Sequence, residues 1–137
     1  MGRKVVIKTS LLVNSNGVGE RLCHSFSGEW NMREDTHLLS HDEEENQGRT
    51  HILLGNDFVE IRRKGLVSSR MRFVSDNRAE AEYNTPHGQI PMTIVTNKIS
   101  RQPTAAGGKF CVCYIIQTNG ENLSENRLEV EWETTEE

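Results

Sequence analysis

The sequence predicts an all-β protein that folds as one antiparallel up-and-down barrel of about eight to ten short strands. Apolar and polar residues alternate along most of the chain with the two-residue period of a strand, as they do from Val5 to Val13. Turn-forming residues separate these segments at short intervals, for example in Asn14–Gly17 and Thr118–Glu121. Nearly every connection is of hairpin length, so a barrel is the simplest closure, and it leaves no exposed edge strand.

Strands are predicted along the whole chain, with no long helical period between them. They cover residues 5–13, 22–30, 36–41, 49–54, 58–64, 66–74, 78–85, 90–96, 109–117 and 122–133. In residues 78–85, small or apolar side chains alternate with arginine and glutamate, which is typical of a sheet with one face in the core. Residues 102–108 include Pro103, and they predict a loop or an interruption at a sheet edge, because proline cannot donate to a strand ladder.

Size and composition limit the class of protein. A chain of 137 residues predicts one domain over residues 1–137, with Thr134–Glu137 as a frayed tail. The net charge of -4 argues against a general nucleic-acid-binding protein, which needs basic surface to neutralise phosphates. No stretch has the about 18 apolar residues of a membrane span, and no cleavable signal follows the charged start. We therefore expect a cytoplasmic protein without a membrane partner.

Two segments, residues 58–99 and 107–131, carry a resemblance to a known family. The residues concerned are Arg63, Gly65, Met71, Phe73, Tyr83, Thr85, Pro86, Gly88, Met92, Ile94, Thr96, Gly107, Gly108, Tyr114 and Asn126. Their order and spacing resemble the YwiB-like family of small bacterial β-barrels of calycin type. This resemblance implies a calycin-type, lipocalin-like barrel without an established biochemical activity. Calycins as a class commonly bind small hydrophobic molecules inside the barrel, although fold alone does not fix function.

The family also predicts the character of the interior. It often has aromatic residues where this chain has Leu38, His41 and His87. If those aromatic residues line a pocket, the pocket of this protein is more polar than that of its relatives.

Arg63 is the single residue whose predicted position has the clearest chemical consequence. It shares strand parity with Val59 and Ile61, so it points toward the predicted interior. An inward guanidinium is costly unless it is paired. Glu43 or Glu44 could provide a carboxylate, in a structural ion pair that closes one end of the barrel. A bound carboxylate or phosphate could do the same, because the guanidinium fork binds such anions in a bidentate way.

Tyr83 and Thr85 face the same side as Ala79 and Ala81. Small residues beside a tyrosine leave room for a ligand, or they let another strand pack closely. Met71 faces inward on the preceding strand. We take a set of five residues as candidates for ligand binding: Arg63, Tyr83, Thr85, Glu43 and Met71.

Arg70 and Arg72 are predicted to point outward and are candidates for a surface interaction. The neighbouring strand adds Arg62 and Lys64 to the same face. This basic patch could contact a phosphate backbone or an acidic partner. It could also pair with Glu80 and Glu82 on the next strand, and the alternation of acidic and basic strands favours this second interpretation.

No feature of the sequence predicts an enzyme, a cofactor or a metal site. No acid, base and nucleophile converge. The cysteines, Cys23, Cys111 and Cys113, have neither disulfide-framework nor zinc spacing, and the pair in the apolar run predicts buried thiols. His37 and His41 share a strand face before an acidic stretch, which fits either a weak divalent-metal site or a solvated edge.

The leading functional prediction is a non-enzymatic module that binds an unknown small amphipathic or anionic ligand inside the barrel near Arg63. The alternative is an interaction module for a partner protein, or with less support RNA, on the charged outer surface of a barrel with a packed core. The sequence leaves a homodimer open.

Overall fold

Strands dominate the computed structural model, which describes residues 2–135. The strands are β1 Arg3–Ser15, β2 Val18–Arg33, β3 Thr36–Glu43, β4 Gly48–Leu54, β5 Val59–Lys64, β6 Ser68–Phe73, β7 Asn77–Thr85, β8 Gly88–Gln89, β9 Met92–Thr104, β10 Gly107–Thr118 and β11 Glu121–Thr134. A single turn of 3-10 helix, η1 Glu44–Asn46, connects β3 to β4. Among residues 2–135, no helix is long and apolar enough to span a bilayer.

The strands form one closed antiparallel ring. Neighbours follow the order β6-β5-β4-β3-β2-β1-β11-β10-β9-β7, and pairing of β6 with β7 closes the ring at ten strands. The short β8 extends this order as a hairpin partner of β7. Each pair of successive strands in the ring is joined by a short connection, except that β1 meets β11 at the two ends of the chain. The predicted all-β, up-and-down barrel is therefore confirmed.

The core consists of the inward side chains of alternate residues, as the sequence pattern predicts. Within it, Phe73 of β6 and Tyr114 of β10 contact each other, with ring centroids 4.7 Å apart. The buried apolar residues are Val5, Ile7, Leu39, Ile52, Leu54, Val59, Phe73, Ala81, Ile94, Phe110, Val112, Tyr114, Val130 and Trp132.

The segment around Pro103 differs from the loop that we predicted. β9 continues through Pro103, which pairs with Gly108 of β10, and the turn lies at Ala105–Ala106. β7 pairs with β9 only at Met92–Thr96. Pro103 thus lies in a part of β9 with a strand on one side, where a missing N–H is tolerated. The prediction of a loop was therefore wrong. The alternative prediction, an interruption at a sheet edge, rested on the correct reason, because proline has no N–H to donate to a neighbouring strand.

The η1 turn is fixed to the start of β6. Asn46 is buried, its Nδ2 donates to the Val67 carbonyl at 2.8 Å, and its Oδ1 accepts from the Val67 N–H at 2.7 Å. A side chain on Gly65 would collide with the Asn46 backbone carbonyl. This close approach places the end of β3, and hence Glu43, over one end of the barrel.

The chain ends lie together on β1 and β11. Thr134 is the last residue of β11 and pairs with Val5, and the Thr135 N–H donates to the Lys4 carbonyl at 3.1 Å. The other residues of the predicted tail, Glu136 and Glu137, lie outside the described residues.

Candidate functional site

A row of polar residues crosses five strands on the inner wall of the barrel. His41 pairs with Thr50, Thr50 with Arg63, Arg63 with Ser69, and Ser69 with Tyr83. Each of these residues lies two positions from an apolar inward residue of its own strand, so all five side chains point inward. We call these five residues the polar row. It lies at the end of the barrel where β3 ends and β4 begins.

Arg63 is held by Glu43 at this end of the barrel. Its Nη2 and Nε lie 2.6 Å and 3.1 Å from Glu43 Oε1, and the Thr50 hydroxyl donates to Oε2 at 3.1 Å. Burial acts to raise the pKa of Glu43, but the hydrogen bonds and charge of Arg63 outweigh it and keep that pKa below its usual value. The Arg63 side chain is 33% exposed. The ion pair that we considered from the sequence is thus present, and the Arg63 side chain is only partly covered by it.

Ser69 is the polar-row residue with an unsatisfied group. It is buried, and its Oγ has no hydrogen-bond partner among the described residues. Its neighbours in the row are Arg63 and Tyr83. A buried hydroxyl without a partner is uncommon and requires an explanation. The sequence analysis missed Ser69, although its shared parity with Met71 was the available signal.

His41 is buried and stacks on Phe26, with ring centroids 3.8 Å apart. Gly28 faces it across β2 and β3, where a side chain would collide with the Ser40 carbonyl. Burial lowers the pKa of His41, so the ring is neutral at neutral pH. His41 is therefore an uncharged member of the polar row.

His37, the other histidine that we considered for a weak metal site, forms contacts elsewhere. Its Nδ1 accepts a hydrogen bond of 3.0 Å from Trp30 Nε1. Its ring is in an aromatic group with Trp30 and Trp132 at the other end of the barrel. Within residues 2–135, no three histidine, cysteine, aspartate or glutamate side chains are grouped to hold a metal ion.

The other two ligand-binding candidates lie near the polar row but not in it. Met71 faces inward one layer below, opposite Ile61, and packs against the core. Thr85 lies beyond Tyr83, where its hydroxyl donates to the Gly88 carbonyl at 2.9 Å and accepts from the His87 N–H. Thr85 thus stabilises the β7–β8 turn.

The predicted outward arginines form a second feature, which we call the Glu60 cluster. It consists of Glu60, Arg62, Arg70 and Arg72, on the outer face of β5 and β6. The Glu60 side chain is only 2% exposed, because the three arginines cover it. The sequence analysis favoured Glu80 and Glu82 as the partners of Arg70 and Arg72. The ion pairs described for these arginines go to Glu60 instead, which is the nearer carboxylate within the hairpin.

The two pockets described on the protein lie outside the barrel. The larger, of about 410 Å³, lies on the outer face of β1, β2, β10 and β11. Its lining residues are Lys8, Thr9, Ser10, Cys23, His24, Ser25, Lys109, Glu129 and Glu131. Cys111 and Cys113 are half-buried on the outer side of β10, between the buried Phe110, Val112 and Tyr114, so these thiols do not lie in the barrel core.

Comparison with known proteins supports the fold. A family model described as a domain of unknown function, DUF1934, matches residues 6–130. The crystal structure of the YwiB protein from Bacillus subtilis superposes with a TM-score of 0.88 at 17% identity, covering 98% of this chain and 94% of that one. No curated protein matches the chain significantly. The predicted YwiB-like family is thereby confirmed, and at this identity the structural similarity supports the fold alone.

Proposed function

We propose a ligand-binding function for this chain, which belongs to the DUF1934 family of domains of unknown function. The ligand is a small amphipathic molecule with an anionic head, and it binds without chemical conversion at the end of the barrel that carries the polar row. The carboxylate or phosphate of the ligand binds to the side chains of Arg63 and Ser69.

The observation that carries this proposal is the unsatisfied Ser69 hydroxyl between Arg63 and Tyr83. A buried hydroxyl without a partner costs about 1–3 kcal/mol. An oxygen of the ligand accepts a hydrogen bond from Ser69 and removes this cost. The same oxygen, or its neighbour, binds the guanidinium of Arg63, whose side chain is partly exposed.

The apolar part of the ligand has a surface at the same end. Leu11 pairs with Leu22 on one side and with Leu128 on the other, and Leu22 is 40% exposed. Phe73 and Tyr114 are buried and packed against each other in the core, so we place the ligand at the mouth of the barrel rather than in a central channel. This arrangement suits an apolar group of modest size.

The test has two parts, a search for a retained small molecule and a titration with amphipathic anions. Native mass spectrometry of gently purified protein, followed by denaturation, detects a retained small molecule. The fluorescent amphipathic anion anilinonaphthalene sulfonate is then titrated, with decanoate as competitor. Ser69→Ala should weaken decanoate binding by about 5- to 10-fold, the value of one hydrogen bond. It should also leave the fold intact and raise the free energy of unfolding by about 1–3 kcal/mol, because it removes the unsatisfied hydroxyl.

The matched control is Ser100→Ala, a serine-to-alanine change at an exposed position of β9. It should leave binding unchanged. A wild-type protein that retains nothing and shows no saturable binding of either anion contradicts the proposal. So does a Ser69→Ala variant that binds decanoate as the wild type does.

A further inference from the structure

The Glu60 cluster has an unusual arrangement of charge in the β5–β6 hairpin. Glu60 pairs across the strands with Arg72, and Arg62 pairs with Arg70. Four charged side chains thus form a square on the outer face, with one carboxylate and three guanidinium groups. Like charges directly opposite each other in a sheet are destabilising, so the Arg62–Arg70 pair needs a neighbouring anion.

Glu60 provides that anion only in part. Arg62 Nη2 lies 2.6 Å from Oε2, and Arg70 Nε and Arg72 Nη1 lie 3.1 Å and 3.5 Å from Oε1. One negative charge opposes three positive charges, so two positive charges remain in the square. The three arginine side chains are each about half exposed, at 48%, 53% and 46%. The arginine side chains are therefore open to solvent, while the buried carboxylate of Glu60 holds them in position.

The surroundings are positive on one side of the square. On β4, His51 lies opposite Arg62, and Arg49 lies opposite Lys64. Burial, and after it the charges of Arg49, Lys64 and Arg62, lower the pKa of His51, so three cations lie close enough to act on this position. Asp42 neutralises Arg49 at 2.7 Å.

On the other side of the square, Glu82 lies opposite Arg70. No ion pair between these two residues is among those described for residues 2–135. Glu82 therefore reduces the positive potential at that edge without occupying the arginine donors.

Arg72 is restrained by a further contact. Its guanidinium carbon lies 4.2 Å from the centroid of the Phe58 ring, within the range of a cation–π interaction. Together with Glu60, this contact limits the side-chain freedom that would be lost on binding. The donors of the cluster are thus arranged before any anion arrives.

We propose that the Glu60 cluster is a binding site for a dianionic phosphate group, either inorganic phosphate or a phosphomonoester. The four side chains of the cluster carry a net charge of +2, opposite in sign and equal in size to that of a phosphate dianion. Planar guanidinium groups bind phosphate oxygens in a bidentate way. Glu60 is a positioning residue, because it contacts the arginines and not the phosphate. This site lies on the outer face of the wall, and it is independent of the ligand that we propose for the polar row.

The first test observes the arginine Nε–H groups of the full-length protein by NMR. Inorganic phosphate, and in a second arm glycerol phosphate, is titrated at constant ionic strength against potassium chloride. We expect saturable shifts at Arg62, Arg70 and Arg72. Arg127 is the internal control, because it also pairs with a carboxylate two residues away, Glu129, on an outer face. Equal responses at Arg127 and the cluster, or no saturation, overturn the proposal.

Two variants test the charge argument. Glu60→Gln retains the shape of the side chain and removes the negative charge, so the affinity for phosphate should rise by at least about 5-fold. Arg70→Met should weaken phosphate binding by about 10-fold, while Arg127→Met should leave it unchanged. If phosphate affinity stays unchanged or falls in Glu60→Gln, the argument that uncompensated positive charge carries the binding is overturned.

The two arms and a competitor identify the source of the phosphate. Tighter binding of glycerol phosphate than of inorganic phosphate assigns the site to phosphomonoesters, and the reverse assigns it to the free ion. If a short single-stranded RNA shifts the same arginines and binds more tightly than both, with a steep dependence on salt, the small-ligand proposal is wrong.

Discussion

Asn46 shows how one residue supports the polar end of the barrel. Its side-chain amide satisfies both the N–H and the carbonyl of Val67, and its own carbonyl accepts from the Leu66 N–H at 2.8 Å. These bonds attach η1 to the start of β6. Because Glu43 directly precedes η1, the position of the carboxylate that binds Arg63 depends on this attachment.

Asn46→Ala should therefore destabilise the protein and loosen the Arg63 site. Removing the amide leaves two backbone groups of Val67 without partners, and we expect the free energy of unfolding to fall by about 1–3 kcal/mol in urea denaturation. Asn56→Ala is the matched control, since Asn56 is exposed in the β4–β5 connection. A change of equal size in both variants contradicts the role that we assign to Asn46.

At the scale of single elements, the start of β4 is fixed by a close approach of backbones. A Cβ on Gly48 would collide with the Lys64 carbonyl of β5. Gly48→Ala should thus separate β4 from β5 and lower the free energy of unfolding by about 2–4 kcal/mol. Gly19→Ala offers a control within a strand, because a Cβ there meets no atom within 4 Å, and that variant should change stability by less than about 1 kcal/mol. Thermal or urea unfolding of both variants measures the difference.

Strand parity explains why much of the architecture could be predicted. Which side of a strand faces the core is a local property, visible as alternation of apolar and polar residues. For this reason the inward direction of Arg63 and the outward direction of Arg70 and Arg72 follow from their neighbours. The pairing of Arg63 with Glu43 was one of the alternatives that parity allowed.

Register explains most of what could not be predicted. The partners of a residue depend on the length and geometry of each turn, which the alternation does not contain. The β5–β6 hairpin places Glu60, and not Glu80 or Glu82, under the outward arginines. The polar row could not be predicted for the same reason. Its five residues become neighbours only through the registers of four successive strand pairs. The available signal for Glu60 was its position as the single acidic residue in the outward set of a basic strand.

The barrel as a whole holds buried and partly buried titratable groups in its walls. Glu43 and Glu60 have pKa values held below normal, where burial alone would raise them but arginine hydrogen bonds outweigh it. His37, His41 and His51 have pKa values lowered mainly by burial. All five groups bind fewer protons in the folded chain than in the unfolded chain, so each of them makes the folded state less stable in acid.

The stability of the whole molecule should consequently fall in two stages as the pH is lowered. The histidine contribution is fully present above the ordinary histidine value of 6.5 and is lost as the pH falls below it toward the lowered folded-state pKa values. The carboxylate contribution is present above the ordinary glutamate value of 4.5 and is lost below it in the same way. Urea unfolding across this range should show both stages. His41→Gln should reduce the first stage, because one buried neutral ring no longer has to gain a proton. A stability that stays constant or rises on acidification would show that the buried arrangement of these groups differs from the one described.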